Sequence, residues 1–248
     1  MGFNKHRSYI KFVIIATHRT GSNYLSCLLN DHPEVFSLGE VFNLPTIWGQ
    51  PGNPEINHSR ILKIFRNLLP VSFLRLYVYG KYPDLVKAVG FRYFYSQADT
   101  FQSVTDYLRS QSDVKVIHLK RRNLLDSYVS LNLAKSSGVW SSEKPPGKLR
   151  KLVINPKDCL DYFEKSSRLI TKYDRLFAKS SRIDIYYEDL LRKKASQIRK
   201  ILKYLGILDR KLTCNLIKQN TRSFDEVVVN YKILKKYFRG TRWEGFFN

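Results

Sequence analysis

The sequence predicts an α/β fold, a three-layer sandwich around a central, mostly parallel sheet, and three observations carry that expectation. Short runs of β-branched and aromatic residues without polar alternation recur along the chain, as strands buried on both faces require. Between them lie segments with apolar residues at i, i+3 and i+4, the periodicity of helices with one dry side. At 248 residues and 43% apolar composition the chain can bury a sizeable core, so a single domain spanning 1–248 is expected.

The first strand is read at Phe12 to Thr17, and it is cut off by His18-Arg19-Thr20-Gly21-Ser22-Asn23. Leu25, Leu28 and Leu29 then give the dry stripe of a helix. Strand, glycine loop and helix N-terminus together suit an anion, because unpaired helical N–H groups and the positive dipole end converge there. Arg19 to Asn23 therefore reads as a cradle for a phosphate-like group. The nucleotide-kinase form G-x-x-x-x-G-K-[ST] and the dinucleotide form G-x-G-x-x-G are both missing. An ordinary strand-to-helix turn fits the same residues.

A second block runs from Val114 to Leu131. Val114, Val116, Ile117 and Leu119 read as a strand, and Asn123 with Asp126 as a helix cap with an acidic third position. Arg122 stands at the strand's end, and Ser130 lies about two turns into the helix, facing back toward it. A guanidinium and a hydroxyl so arranged suit a second phosphate.

These blocks resemble those of sulfotransferases that use 3′-phosphoadenosine 5′-phosphosulfate (PAPS). Thr17 to Asn23 is similar to their 5′-phosphosulfate loop, Arg122-Asn123 with Ser130 to their 3′-phosphate motif, and Tyr187-Glu188-Asp189-Leu190 to a late segment whose Tyr lies near adenine. The resemblance covers the nucleotide-binding half of the chain and implies the P-loop NTPase-like sulfotransferase fold. It further implies that Arg19, Thr20, Gly21, Ser22, Asn23, Arg122, Ser130 and Tyr187 hold PAPS, with Arg19 also offsetting charge on the bridging oxygen during transfer. In carbohydrate-type members a Glu shortly after the loop is the general base, and Gly39-Glu40 is the match here. Glu40 could instead pair with an arginine such as Arg19 or Arg92, and Glu34 is a weaker match. Arg92, at the end of a strand read at Ala88 to Tyr95, resembles a basic residue set against the sulfuryl group; a solvent-facing arginine fits it too. The tail, Tyr237 to Phe247, partly resembles a loop that closes on the 3′-phosphate, which carries over Arg239 and Gly240; an aromatic tail docking on the core competes with that account.

The remaining chain is consistent with this frame. Leu44 to Asn57 and Ser136 to Lys151, rich in Pro and Gly, read as a loop on the acceptor side and a mobile lid. Ile61 to Leu69 reads as a helix ending at Pro70, residues 98–110 as another, and Leu160 to Phe177 as a long amphipathic one. Ile183 to Tyr187 reads as the strand before the helix of Arg192 to Leu205, with Lys193, Lys194, Arg199, Lys200 and Lys203 as its wet face. Cys27, Cys159 and Cys214 show no pairing pattern, so reduced thiols and a cytoplasmic protein are expected. No signal peptide or membrane anchor is legible.

The 43 basic residues against 21 acidic, a formal +22, predict an anionic partner beyond the nucleotide, a membrane surface met peripherally, an acidic glycan or nucleic acid, and a charge that serves solubility fits too. The resemblance implies a hydroxyl-bearing acceptor, a glycan or glycolipid, with no metal and no nucleic acid. His18 and His118 are poor candidates for the base, and no His spacing suggests a metal. Two other classes remain open at this point, a kinase-like phosphoryl transferase needing Mg²⁺ and a non-catalytic nucleic-acid binder.

Overall fold

The computed structural model describes residues 5–49, 58–140, 150–218 and 222–247. Its seven strands are β1 Lys5–His6, β2 Ile10–Ala16, β3 Val35–Leu38, β4 Tyr82–Pro83, β5 Ala88–Phe94, β6 Val114–Lys120 and β7 Arg182–Tyr186. Five form one parallel sheet in the order β3-β5-β2-β6-β7, while β1 and β4 make a small antiparallel pair. The expected α/β architecture is therefore observed.

Strand periodicity sorts the core into two layers. Val13, Ile15 and Val116 point to one face, under Phe42, Phe73, Tyr95 and Tyr173. Phe12, Ile14, Ile117 and Leu119 point to the other, against helices α1 (Ser22–Asn30) and α9 (Lys194–Leu205). The remaining helices are α2 Arg60–Leu68, α3 Pro70–Phe73, α4 Tyr95–Thr100, α5 Gln102–Ser110, α6 Leu124–Ser137, α7 Pro156–Leu176, α8 Tyr187–Arg192, α10 Phe224–Val227 and α11 Tyr231–Tyr237, with a π-turn at Leu74–Val78. A third cluster, including Leu124, Val129, Phe163, Phe238 and Phe247, joins α6 and α7 to the C-terminal tail.

Chain order runs from β2 outward to β3 and β5, then returns across to β6 and β7. The direction of winding thus reverses between neighbours β2 and β6. In such sheets the crevice beyond the strands' C-terminal ends at that reversal is where ligands sit. The two phosphate-like motifs are the loops that follow these two strands.

Three readings change. Cys27 and Cys214 form a disulfide, with Cα atoms 5.7 Å apart. They lie 187 residues apart, on α1 and on the segment after α9, so no local spacing betrays the pair. The cysteines therefore no longer argue for a reducing compartment; Cys159 alone is a buried thiol. Tyr187 opens helix α8 rather than ending a strand, and the 98–110 helix is two, α4 and α5, hinged at Phe101. Parts of the expected acceptor loop and lid, 50–57 and 141–149, lie outside the described residues. Among the described residues no helix is long and apolar enough to cross a membrane.

Candidate active site

The loop after β2 is shaped by two residues in the left-handed region, Arg19 at φ 64° and Gly21 at φ 83°. Gly21 caps α1 without a side-chain hydrogen bond, so the helix's first N–H groups carry no competing side-chain acceptor there. A Cβ on Gly21 would come within 2.2 Å of the Tyr187 ring. Glycine is thus required twice, by backbone angle and by the aromatic side chain pressed onto the loop. Thr20 and Ser22 are buried, and the Thr20 hydroxyl donates to the Thr17 carbonyl at 2.8 Å.

The second block meets this loop directly. Arg19 Nε donates to Ser130 Oγ at 3.0 Å, and Arg19 Nη1 donates to the Trp140 carbonyl at 2.5 Å. Burial and the charge of Arg121 hold the Arg19 pKa below its usual value. Arg121, which sequence reasoning passed over, is 7% exposed, donates Nη1 to the Arg19 carbonyl at 2.9 Å and stacks 4.7 Å from the Tyr187 ring centre. Arg122 turns outward instead. It is exposed, bonded through both Nη atoms to Asp189 at 2.9 and 2.7 Å, and stacked 4.0 Å over Tyr186. Both arginines follow the C-terminal end of β6, but the geometry makes Arg121 the one lining the loop. Asn123 caps α6 by accepting from Leu125 N and Asp126 N, as its sequence position suggests. Its Nδ2 donates to the Phe246 carbonyl at 3.1 Å, which ties the tail to this block.

That tail docks through aromatic packing: Trp243, Phe246 and Phe247 surround Phe163. Gly240 has φ 73° and its N–H is accepted by Glu244 Oε2 at 2.9 Å; Arg239 is exposed on the same turn. The tail reaches the second block through Phe246.

On the other flank, Glu40 follows β3. The loop 39–49 folds back, with Trp48 N donating to the Glu40 carbonyl at 3.3 Å, and a Cβ on Gly39 would lie 2.5 Å from the Trp48 carbonyl oxygen. Glu40 is set against Arg92 Nη1 at 3.4 Å, and Gln97 Nε2 donates to it at 3.3 Å. Burial raises the Glu40 pKa above the usual carboxylate value, with Arg92 and Gln97 pulling the other way. Arg92 Nε is buried with no hydrogen-bond acceptor. Glu34 lies away from this group, bonded to Lys87 before β5. His18 rests edge-on against Phe94 with Nε2 3.4 Å from Ser96 Oγ; desolvation, then the charges of Arg19 and Arg92, keep it below its ordinary pKa.

One group of potential metal ligands, His118 with Asp174 and Asp184, appears among the described residues. Lys120 contacts both carboxylates at 2.6 and 3.1 Å and Arg182 contacts both at 3.2 Å, so two cations already balance the two acids. Tyr95 hydroxyl and His118 Nε2 are 2.5 Å apart, closing a structural network between β6, β7 and α7.

The sulfotransferase family matches residues 12–210, which include both loops, Glu40 and Tyr187. The chain belongs to that family. Its similarity extends to two proteins named nodulation protein H. One, from Rhizobium tropici, is 30% identical over 95% of this chain and 92% of its own. The other, from Rhizobium meliloti (strain 1021), is 32% identical over 95% and 94%. A sulfotransferase crystal structure from Alicyclobacillus acidocaldarius shares the fold, with TM-score 0.51 and 14% identity over 92% of this chain and 90% of that one. In this sulfotransferase two of the buried side-chain atoms without hydrogen-bond partners, Asn23 Oδ1 and Arg121 Nε, belong to the loop and to the arginine beside it, while others, such as His6 Nε2 and the Tyr77 hydroxyl, lie elsewhere. Natural proteins seldom leave such groups unsatisfied except where a ligand or water completes them.

Proposed function

We propose that this sulfotransferase transfers the sulfuryl group of PAPS to a hydroxyl of a carbohydrate or glycolipid acceptor. The observation that carries the reading is the contact of three sequence-distant blocks beyond the C-terminal ends of the strands: Tyr187 on Gly21, Arg121 on Arg19 and Tyr187, and Arg19 on Ser130. A nucleotide with phosphate groups at both ends suits two such basic clusters one strand apart.

In this reading the α1 N–H groups with Thr20, Ser22 and Asn23 hold the 5′ end, and Ser130 with the arginines after β6 holds the 3′-phosphate. Tyr187 and the tail around Arg239 and Gly240 border the nucleotide. The acceptor oxygen forms a bond to sulfur as the bond between sulfur and the bridging oxygen breaks, and adenosine 3′,5′-bisphosphate leaves. Glu40 takes the acceptor's proton, and its raised pKa brings it nearer to neutrality, where a base works best. Arg19 offsets the charge growing on the bridging oxygen. Arg92 sits beside Glu40 and keeps it ionised over a wider pH range.

The test is transfer of radiolabelled sulfate from PAPS to a panel of oligosaccharides, glycolipids and phenols, with Glu40→Gln as control. Labelled carbohydrate that falls by about 10²–10⁴-fold in the variant is the expected result. Labelling of phenols alone, or undiminished labelling in Glu40→Gln, would reject the acceptor class or the base.

A further inference from the structure

We propose that the outer face of α2 and the turn after it is a membrane-interface patch that lays this protein on an anionic phospholipid bilayer. Ile61, Ile64 and Leu68 project on one side of α2, 80%, 58% and 73% exposed, and in the segment that follows Leu69 and Leu76 are 56% and 57% exposed. At about 100° per residue, positions 61, 64 and 68 fall within roughly 60° of one another. Leu62 and Phe65 continue the same apolar arc on the adjoining side and pack against the core, so only part of the arc is covered. Contiguous exposed apolar surface of this kind marks an interaction site.

Charge identifies the occupant. Between Ile56 and Pro83 the chain carries Arg60, Lys63, Arg66, Arg75 and Lys81 and no acidic residue. Arg60 borders the apolar stripe on the helix, Lys63 lies farther round on the same side and donates to the Pro45 carbonyl, and Arg60, Arg75 and Lys81 are exposed. The nearby carboxylate Asp99 is engaged by Lys172 and Tyr173. An apolar stripe bordered by cations, on a helix too short to span, is the pattern of a segment that lies in the headgroup plane. A second copy of a chain with net charge +22 would bring its own cations against these.

The patch is bolted to the candidate acceptor side. Arg66, fully buried, donates through its guanidinium to the carbonyls of Asn43 and, at 3.0 Å, Leu44, just beyond Glu40. Leu44 and Trp48 of that loop are themselves about half exposed. A bilayer under α2 would therefore lie beside the loop that carries Glu40.

Co-sedimentation of the full chain with vesicles of phosphatidylcholine alone, or mixed with phosphatidylglycerol, tests this without any nucleotide, so its outcome is separate from the PAPS reading. Binding to the mixed vesicles is expected, with partitioning reduced about tenfold or more in Ile64→Ser/Leu68→Ser. Arg60→Glu/Arg75→Glu should weaken binding to mixed vesicles several-fold and leave the weak binding to phosphatidylcholine unchanged. Circular dichroism and melting of the variants, all at exposed positions, should match the parent. No binding by the parent, or equal binding by Ile64→Ser/Leu68→Ser, would overturn the proposal. So would a parent dimer that ignores vesicles and becomes monomeric in that variant, because the face would then belong to a second copy.

Discussion

At the scale of single residues, Gly21 and Glu40 are the most constrained. Gly21→Ala would force a Cβ into the Tyr187 ring and leave a side chain at φ 83°, a backbone cost alone of about 1–2 kcal/mol. Its expected outcome is a lower melting temperature together with lost response to PAPS; an unchanged response would mean that the loop does not hold the nucleotide. Glu40 must be ionised to accept a proton, and burial has raised its pKa, so activity should fall on acidification at a pH above the ordinary carboxylate range. Arg92 pulls that pKa down. Arg92→Gln should consequently move the acidic limb of the pH–rate profile to higher pH, and a limb that stays put would separate Arg92 from the base. The local motifs were legible because each is a strand end, a loop and a helix start written in consecutive residues. The choice between Arg121 and Arg122 was not. Which of two adjacent arginines turns inward is decided by Tyr187 and Asp189, which arrive from a different strand end.

At the scale of elements, two long-range fastenings hold the site's supports. Arg66 spends a buried charge on main-chain carbonyls around the Glu40 loop, so Arg66→Met should strand those acceptors at about 1–3 kcal/mol each. Reduced stability and a kcat loss greater than any change in PAPS affinity are expected; equal losses in both would assign Arg66 a general structural role. The Cys27–Cys214 disulfide clamps α1 to the segment after α9, reinforced by Thr213 N donating to Asp31 Oδ2 at 2.8 Å. A disulfide is typically worth about 2–4 kcal/mol. Cys27→Ser should melt below the parent under oxidising conditions and close to it in dithiothreitol, and no difference in either buffer would deny the bond a stabilising role. Strand and helix periodicities could be read from the sequence because they depend on neighbours within a turn. Arg66's carbonyl partners, the disulfide and the hinge at Phe101 depend on tertiary packing, which composition and spacing do not encode.

At the scale of the whole molecule, the buried His118 network joins β6, β7 and α7. Burial, then Lys120, lower the His118 pKa from its ordinary 6.5 to about 4. A depressed folded pKa means that the unfolded chain takes up a proton first as pH falls. Stability from this residue is complete above pH 6.5 and drains away toward pH 4. The melting temperature of the parent should therefore decline more steeply across that window than that of His118→Gln, and parallel curves would contradict the assignment. The sheet's reversal point between β2 and β6 places the candidate site, because the loops after these adjacent strands leave the sheet side by side. The most direct measurement of that claim is calorimetric titration with adenosine 3′,5′-bisphosphate and with adenosine 5′-monophosphate, repeated on Ser130→Ala and Arg121→Ala. The account predicts that the bisphosphate binds more tightly to the parent, and that Ser130→Ala erodes this advantage while leaving the monophosphate affinity unchanged. Equal affinity of the parent for both nucleotides would contradict it.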